Sequence, residues 1–251
     1  MRVRFRYAKL GKVRFTSQRD VARMWERAVR RAALPVAYSE GFSPRPLLSF
    51  GLALPTGAES LAEFVDVVLD EGRVEAADIE PAELVARLGP FLPDGVTVRA
   101  AAGVSGGGSL QHEVTACRWE LALTGATRGD VADAVASFTA ASSVPLVRER
   151  KGRQAEDDLR PGVRELSVDD GRGGERVVVL AEVATQPRGV RPGELVRALA
   201  ERMVDAGGLA LAGACRTAQW IERDGSRWEP LGDEGRIAEP VSAGAAWERA
   251  S

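Results

Sequence analysis

The chain opens with alternating charged and apolar positions, a pattern typical of a strand with one buried face. Residues 2–7 read Arg-Val-Arg-Phe-Arg-Tyr, so the apolar side chains fall on one side of a strand and the basic ones on the other. The pattern predicts that the second side is an exposed arginine face made of Arg2, Arg4 and Arg6.

A helical period follows, and a capping residue marks its start. Apolar residues at positions 21, 24, 25, 28, 29 and 32 recur at helical spacing and predict a buried stripe. Ser17 with Asp20 three residues later resembles a capping box, and Pro35 ends the helix. The opposite side is predicted to be basic, through Arg19, Arg23, Arg27, Arg30 and Arg31.

The later periodic segments continue this order and then repeat it. Strand patterns over 47–54 and 62–69, a helix over 81–88 and a strand over 96–100 complete β-α-β-β-α-β. A similar order runs from 114 to 221. The sequence therefore predicts an α+β fold with two ferredoxin-like (βαββαβ) domains in tandem. The expected boundaries are a basic domain over 1–102, a Gly-rich linker over 103–112, a second domain over 113–230 and a disordered tail over 231–251.

Composition agrees with two domains and excludes several classes of protein. The 251 residues are 45% hydrophobic, which is enough for two ordinary cores. There is no apolar run long enough to span a membrane and no secretory signal pattern, so we expect a cytoplasmic protein without a membrane partner. The two cysteines, Cys117 and Cys215, have no neighbouring ligands at metal-binding spacing, and we expect no metal site.

Charge is unevenly distributed along the chain. The formal net charge is only −2, yet residues 1–50 contain twelve basic and three acidic side chains. Such an asymmetry favours an anionic partner, since a patterned basic surface is the electrostatic signature of nucleic-acid binding. Further phosphate-contact candidates lie outside the first strand and helix: Arg14, Arg45, Arg150, Lys151 and Arg160.

Two loops carry candidate chemistry. In the segment Ser39–Arg45, Gly41 allows close backbone approach, and Phe42 either stacks on a base or packs into the core, the core being the more ordinary place for it. The charged segment 148–161 either binds phosphates or is an ordinary solvated loop. Catalytic constellations are otherwise missing: there is no Ser–His–Asp set and no phosphate-binding Gly-rich motif. The remaining candidates for acid or base work are Asp20, Glu40 and Asp158.

Several motifs together resemble a known family. They are Lys9-x-Gly11, Arg14-Phe15-x-Ser17-x-x-Asp20, Arg30-Arg31-Ala32-x-Leu34-Pro35, Ala37-Tyr38-Ser39-Glu40-Gly41-Phe42-Ser43-Pro44-Arg45-Pro46, Ser49-Phe50-Gly51, Leu54-Pro55-x-Gly57-x-Glu59-Ser60 and Asp158-Leu159-Arg160-Pro161. The set is similar to the uncharacterised radical-SAM-associated family in its stand-alone form, over roughly residues 1–220.

The resemblance implies a partner rather than a reaction. It implies a separate radical-SAM enzyme, with the iron–sulfur cluster and S-adenosylmethionine held by that enzyme and no cofactor in this chain. The family pattern reads Ser-His-Leu-Asp where this chain has Ser17-Gln18-Arg19-Asp20, and an amide cannot carry a proton as histidine does. Binding is therefore the favoured role for a predicted pocket of Ser17, Gln18, Ser39, Glu40, Gly41, Phe42 and Ser43.

Three functions remain open. The leading hypothesis is a non-catalytic RNA-binding or substrate-presenting protein, with tRNA or rRNA as the RNA, that works with the radical-SAM enzyme in RNA modification or processing. The second is an RNA-processing or RNA-modifying enzyme in its own right. The third is a purely protein-binding adaptor of the radical-SAM enzyme.

Overall fold

The chain is a mixed α+β protein whose strands pair mostly antiparallel. The computed structural model describes residues 1–72, 80–104, 108–150, 152–170, 176–203 and 208–231. These form two compact units. The first contains the described residues up to Val114 together with those from Thr217 onward, and the second contains residues 115–216.

The first unit alternates strands and helices. Its elements are β1 (Arg2–Lys9), a 3-10 turn (Gly11–Phe15), α1 (Gln18–Arg31), β2 (Leu48–Phe50), β3 (Glu59–Val68), α2 (Pro81–Leu88), a 3-10 turn (Gly89–Phe91), β4 (Val96–Val104) and α3 (Leu110–Glu113). Here β1 pairs antiparallel with both β3 and β4, and β2 pairs antiparallel with β3. The first 3-10 turn follows β1 and places Ser17 at the start of α1.

The predicted capped helix is confirmed. The Ser17 hydroxyl accepts a hydrogen bond from the Asp20 backbone N–H, which satisfies a donor that the first turn leaves open. Val21, Trp25 and Val29 are buried on one side of α1, where they join a core with Val3, Phe5 and Tyr7 of β1. At the other end, the Arg87 guanidinium donates to the carbonyl oxygens of Ala32 and Ala33, just beyond the last turn. Both ends of α1 are therefore fixed.

A second apolar cluster covers the other side of the first unit's sheet. Phe64 and Ala102 lie there with Leu110 of α3 and Leu231. Two of the segments that the sequence predicted to be unstructured contribute to this packing. The expected linker 103–112 is structured in part, since β4 reaches Val104 and α3 begins at Leu110, and the expected tail begins at a buried residue. The rest of that tail, 232–251, lies outside the described residues.

The second unit contains a similar order with an added hairpin. Its elements are β5 (Val114–Thr124), α4 (Arg128–Ala140), β6 (Pro145–Arg150), β7 (Arg153–Asp158), β8 (Val163–Val168), β9 (Val177–Ala184), α5 (Pro192–Ala200) and the first half of β10 (Ala210–Arg223), and β11 (Ser226–Trp228) follows in the first unit. The strand order is β10-β5-β9-β8, and among the described strands β6 and β7 pair only with each other. No helix in the described part of the chain is long and apolar enough to cross a membrane.

Candidate nucleic-acid interface

The exposed side of α1 carries a line of arginines. Because an α-helix turns once per 3.6 residues, positions spaced by three or four lie on one side as neighbours about 5–6 Å apart. Four arginines have this spacing opposite the buried Trp25, and all four are exposed. We call them the arginine stripe: Arg19, Arg23, Arg27 and Arg30.

Most of this positive charge has no carboxylate partner in the part of the chain that the structure describes. Arg23 lies 3.4 Å from Asp20, but Arg19, Arg27 and Arg30 make no ion pair among the described residues. The fifth predicted helix arginine, Arg31, is also exposed and lies over the Phe91 ring at 5.3 Å. An exposed guanidinium without a carboxylate partner retains all five donors for an anion such as a phosphate.

The carboxylate at the start of α1 is engaged in a local network. The Ser17 hydroxyl donates to Asp20 Oδ2 at 2.7 Å, and Arg23 approaches Oδ1. The Ser17 hydrogen bond, aided by Arg23, holds the pKa of Asp20 below its ordinary value. A carboxylate held in this way caps a helix and serves poorly as a proton acceptor. Beside it, the Gln18 side chain is half-buried.

The segment Ser39–Arg45, here called the Phe42 loop, projects from a closed base. The Ser39 N–H donates to the Arg45 carbonyl at 2.9 Å, and the Arg45 N–H donates to Ser39 Oγ at 3.1 Å. Gly41 has φ of +114°, a conformation that L side chains rarely adopt. Phe42 is fully exposed, at 109% of its reference area, so the expectation that it packs into the core is wrong. Glu40 and Ser43 are exposed beside it.

The predicted pocket is divided between two ends of the first unit. The Phe42 loop is anchored at the end of β3, where the Val68 N–H donates to the Leu47 carbonyl. Ser17 follows the turn whose Arg14 carbonyl accepts from the Gly57 N–H, just before β3 begins. Since β3 has ten residues at about 3.3 Å each, the two anchors lie roughly 30 Å apart. Ser17 and Gln18 are therefore anchored far from the rest of the proposed set.

Two of the predicted strand arginines are buried. Arg4 and Arg6 are 3% and 5% exposed, so the expected exposed arginine face of β1 is wrong. Arg4 donates to both carboxylate oxygens of Asp66, at 2.7 and 3.0 Å, and to the Pro230 carbonyl. Arg6 pairs with Glu229 at 2.8 Å; burial raises the pKa of Glu229, and Arg6 opposes that rise. These guanidiniums hold the residues after β11 onto the sheet.

Arg2 and Arg14 lie at the margins of the same unit. The Arg2 side chain is 37% exposed and lies 3.9 Å from Asp66. Arg14 is half-buried, 3.6 Å from the buried Glu59 and stacked over Phe15 at 4.6 Å. Both guanidiniums already have carboxylates in reach, which sets them apart from the arginine stripe.

The second candidate loop is the β6–β7 hairpin. Asp158 accepts hydrogen bonds from the backbone N–H groups of Val144 (2.8 Å) and Arg160 (2.9 Å), which lower its pKa. Its carboxylate thus holds the two ends of the hairpin together and is not available as a base. Arg160 donates to the carbonyl oxygens of Val163 and Thr139. Lys151 and the Arg150 side chain lie outside the described residues.

One neighbour of the Phe42 loop was not predicted as a site residue. Tyr38 forms a bridge with Pro46 at the base of the loop and is 41% exposed. An aromatic directly before a polar Gly/Pro-rich turn was the available signal. Among the described residues, no group of three or more His, Cys, Asp or Glu side chains is arranged to hold a metal ion.

The comparison with protein families gives one match that spans most of the chain. The profile of a family described as uncharacterized protein conserved in bacteria (DUF2344) matches residues 2–192. The chain belongs to the DUF2344 family. The match to DUF2344 includes α1, the Phe42 loop and the β6–β7 hairpin. No curated protein matches the chain.

Similarity to solved structures is weak. A chain in the "Crystal Structure of a Cbf5-Nop10-Gar1 Complex" aligns with 86% of this DUF2344 chain at 12% sequence identity and a TM-score of 0.43. The aligned part is 49% of that chain, so this protein spans about half of its length. Similarity at this level assigns neither a fold nor a partner.

Proposed function

We propose that this protein is an accessory RNA-binding or substrate-presenting protein that works with a separate radical-SAM enzyme in RNA modification or processing. The observation that supports this most strongly is the arginine stripe, where Arg19, Arg27 and Arg30 are exposed without a carboxylate partner in the described chain. Glu26 lies three positions after Arg23 and four before Arg30, where helical ion pairs can form, yet it forms no ion pair with either arginine in the described chain. Cations left free at neighbouring positions suit a polyanion with regularly spaced phosphates.

The engaged carboxylates favour binding over catalysis. Asp20 accepts from Ser17 and Arg23, and Asp158 accepts from two backbone N–H groups. Neither has the raised pKa that a general acid or base near neutral pH needs. The reaction therefore belongs to the partner, which in this proposal supplies the iron–sulfur cluster and S-adenosylmethionine.

The proposal also specifies the fold of each unit, the type of RNA and the cellular compartment. We propose that β1–β4 with α1 and α2 form one ferredoxin-like domain, and that β5, β8, β9 and β10 with α4 and α5 form the other. The RNA is proposed to be tRNA or rRNA and the compartment the cytoplasm. Fold alone does not specify RNA binding, so the proposal depends on the surface of α1.

A charge-reversal experiment tests the proposal. We expect Arg27→Glu/Arg30→Glu to weaken binding of bulk bacterial tRNA by at least roughly tenfold at fixed salt, because two phosphate contacts are replaced by repulsion. Fluorescence anisotropy or filter binding measures the affinity. The matched control is Arg176→Glu/Arg223→Glu, which makes the same change of net charge at two exposed arginines outside α1.

The control separates the effect of the arginine stripe from the effect of overall net charge. Equal loss of affinity in both double variants would mean that only overall charge matters and would contradict the proposal. Co-purification of a radical-SAM enzyme that survives nuclease treatment, with no RNA affinity in the wild-type protein, would support the adaptor alternative. Turnover of RNA by the purified chain, lost in Asp20→Asn, would support the enzyme alternative.

A further inference from the structure

The Phe42 loop presents an aromatic ring to solvent, and none of the described residues covers it. Single exposed apolar residues are normal on protein surfaces, so exposure by itself indicates little. Phe42 differs in degree, because the other exposed aromatic side chains in the described chain, Phe15 and Tyr38, keep 63% and 41% of their reference area. Burying a phenylalanine is favourable, and a ring held wholly in water gives up that gain.

Hydrogen bonds close the base of the loop. Besides the Ser39–Arg45 hydrogen bonds, Tyr38 forms a bridge with Pro46, and the Leu47 N–H donates to the Ala37 carbonyl at 2.9 Å. At Gly41, no atom of the described residues lies within 4 Å of a Cβ placed there. A closed base therefore presents a ring that is accessible from both faces, which reduces the ordering cost of stacking.

The charges near the loop favour a nucleic acid over an apolar protein pocket. Arg45 is exposed three residues after Phe42. Residues 32–38 connect the loop to the C-terminal end of α1, where the arginine stripe ends at Arg30 and Arg31 is also exposed. In the loop, Phe42 lies between the exposed Glu40 and the exposed Arg45. The ring and the Arg45 guanidinium together can bind the two chemical parts of a nucleotide, its flat base and its phosphate.

A single exposed ring can bind some forms of RNA and not others. Bases inside an A-form duplex are stacked on each other, and the deep, narrow major groove excludes side chains. A single aromatic ring can stack only on a base that is already unpaired, in a loop, bulge or single-stranded end. We infer that the Phe42 loop binds an unpaired nucleotide of RNA, with Phe42 stacked on the base and Arg45 contacting an adjacent phosphate. This inference rests on the proposed RNA-binding function and names its substrate class.

Fluorescent RNA tests the inference directly. The probes are a single-stranded RNA of about 12 nucleotides that contains 2-aminopurine, and the blunt duplex of the same sequence. We expect Phe42→Ala to weaken single-strand binding by roughly 5- to 150-fold, the range for loss of one base–aromatic stack, and to remove the quenching of 2-aminopurine. Duplex affinity is expected to change much less.

Two further variants separate stacking from simple apolar contact. Phe42→Trp keeps a ring and is expected to retain quenching and affinity, whereas Phe42→Leu keeps an apolar side chain and is expected to behave like Phe42→Ala. The matched control is Phe15→Ala, because Phe15 is also exposed but lies in the turn before α1, near the start of β3. It is expected to leave single-strand affinity unchanged.

The outcomes distinguish this inference from the proposed function. Wild-type affinity in Phe42→Ala, or equal loss on single strand and duplex, overturns the inference; if Arg27→Glu/Arg30→Glu still weakens binding, the proposed function stands. Loss of a bound protein without loss of RNA affinity in Phe42→Ala would make the loop a protein-docking element and also overturn it. If the wild-type protein binds neither probe nor tRNA, both ideas fail.

Discussion

Replacing Asp66 with alanine is expected to destabilise the protein by about 3–5 kcal/mol. Arg4 and Asp66 are 3% and 4% exposed and share two hydrogen bonds, at 2.7 and 3.0 Å. Removing the carboxylate leaves a buried guanidinium without its closest anion. Glu113, at 3.7 Å, is too far to replace both bonds. The free energy of unfolding, measured by denaturant titration, gives the loss directly.

An exposed ion pair is the matched control for this substitution. Glu165 lies 3.2 Å from Arg118, but the two side chains are 66% and 41% exposed. Glu165→Ala is therefore expected to change the free energy of unfolding by less than about 1 kcal/mol. A loss below about 1 kcal/mol for Asp66→Ala as well would mean that Arg4 finds other partners and that its burial is not tied to Asp66.

Trp25→Ala is expected to cost about 3–5 kcal/mol and to weaken RNA binding as a consequence. Trp25 is fully buried and packs against the rings of Phe5 and Tyr7, with centroids 5.7 and 5.1 Å away. It is the largest side chain that holds α1 on the sheet, so the cavity left by alanine loosens the helix that presents the arginine stripe. Thermal and denaturant unfolding measure the first effect, and tRNA affinity measures the second.

A conservative variant separates packing from hydrogen bonding at this position. The indole Nε1 of Trp25 has no hydrogen-bond partner among the described residues. Trp25→Phe therefore gives up volume but no hydrogen bond, and it is expected to cost clearly less than Trp25→Ala. Equal losses for the two variants would contradict the assignment of Trp25 as a packing residue.

Sequence periodicity predicted α1 well because the information is local. The cap at Ser17, the buried positions around Trp25 and the exposed arginines all follow from residues within one helix. The alternation in β1 was also correct in placing Val3, Phe5 and Tyr7 in the core. Local patterns specify which residues share a side, and they do so reliably for long amphipathic elements.

The same alternation failed for Arg4 and Arg6 because it does not show what covers the second side of a strand. The partners of these arginines are distant in sequence: Asp66, Glu113, Glu229 and the Pro230 carbonyl. Nothing in residues 2–7 indicates that a segment more than 220 positions away returns to that surface. A buried arginine on a strand can be predicted only when its carboxylate partners are known.

Local sequence patterns also failed to predict the arrangement of the candidate site. Composition identified Ser39–Arg45 as a loop, but the exposure of Phe42 depends on how the loop base closes. The pocket predicted from motif residues joined Ser17 to that loop, whereas the register of β3 anchors the two at opposite ends of a ten-residue strand. Strand pairing, which is not local in sequence, decides which motifs meet.

The salt dependence of RNA affinity tests the central claim, that the arginine stripe binds phosphates, most directly. Neutralising phosphates releases counterions, so the logarithm of affinity falls linearly with the logarithm of salt concentration, with a slope set by the number of contacts. We predict a steep slope for the wild-type protein and a slope shallower by about 2 for Arg27→Glu/Arg30→Glu, with Arg176→Glu/Arg223→Glu unchanged. A flat wild-type response, or the same slope in all three proteins, would contradict the account.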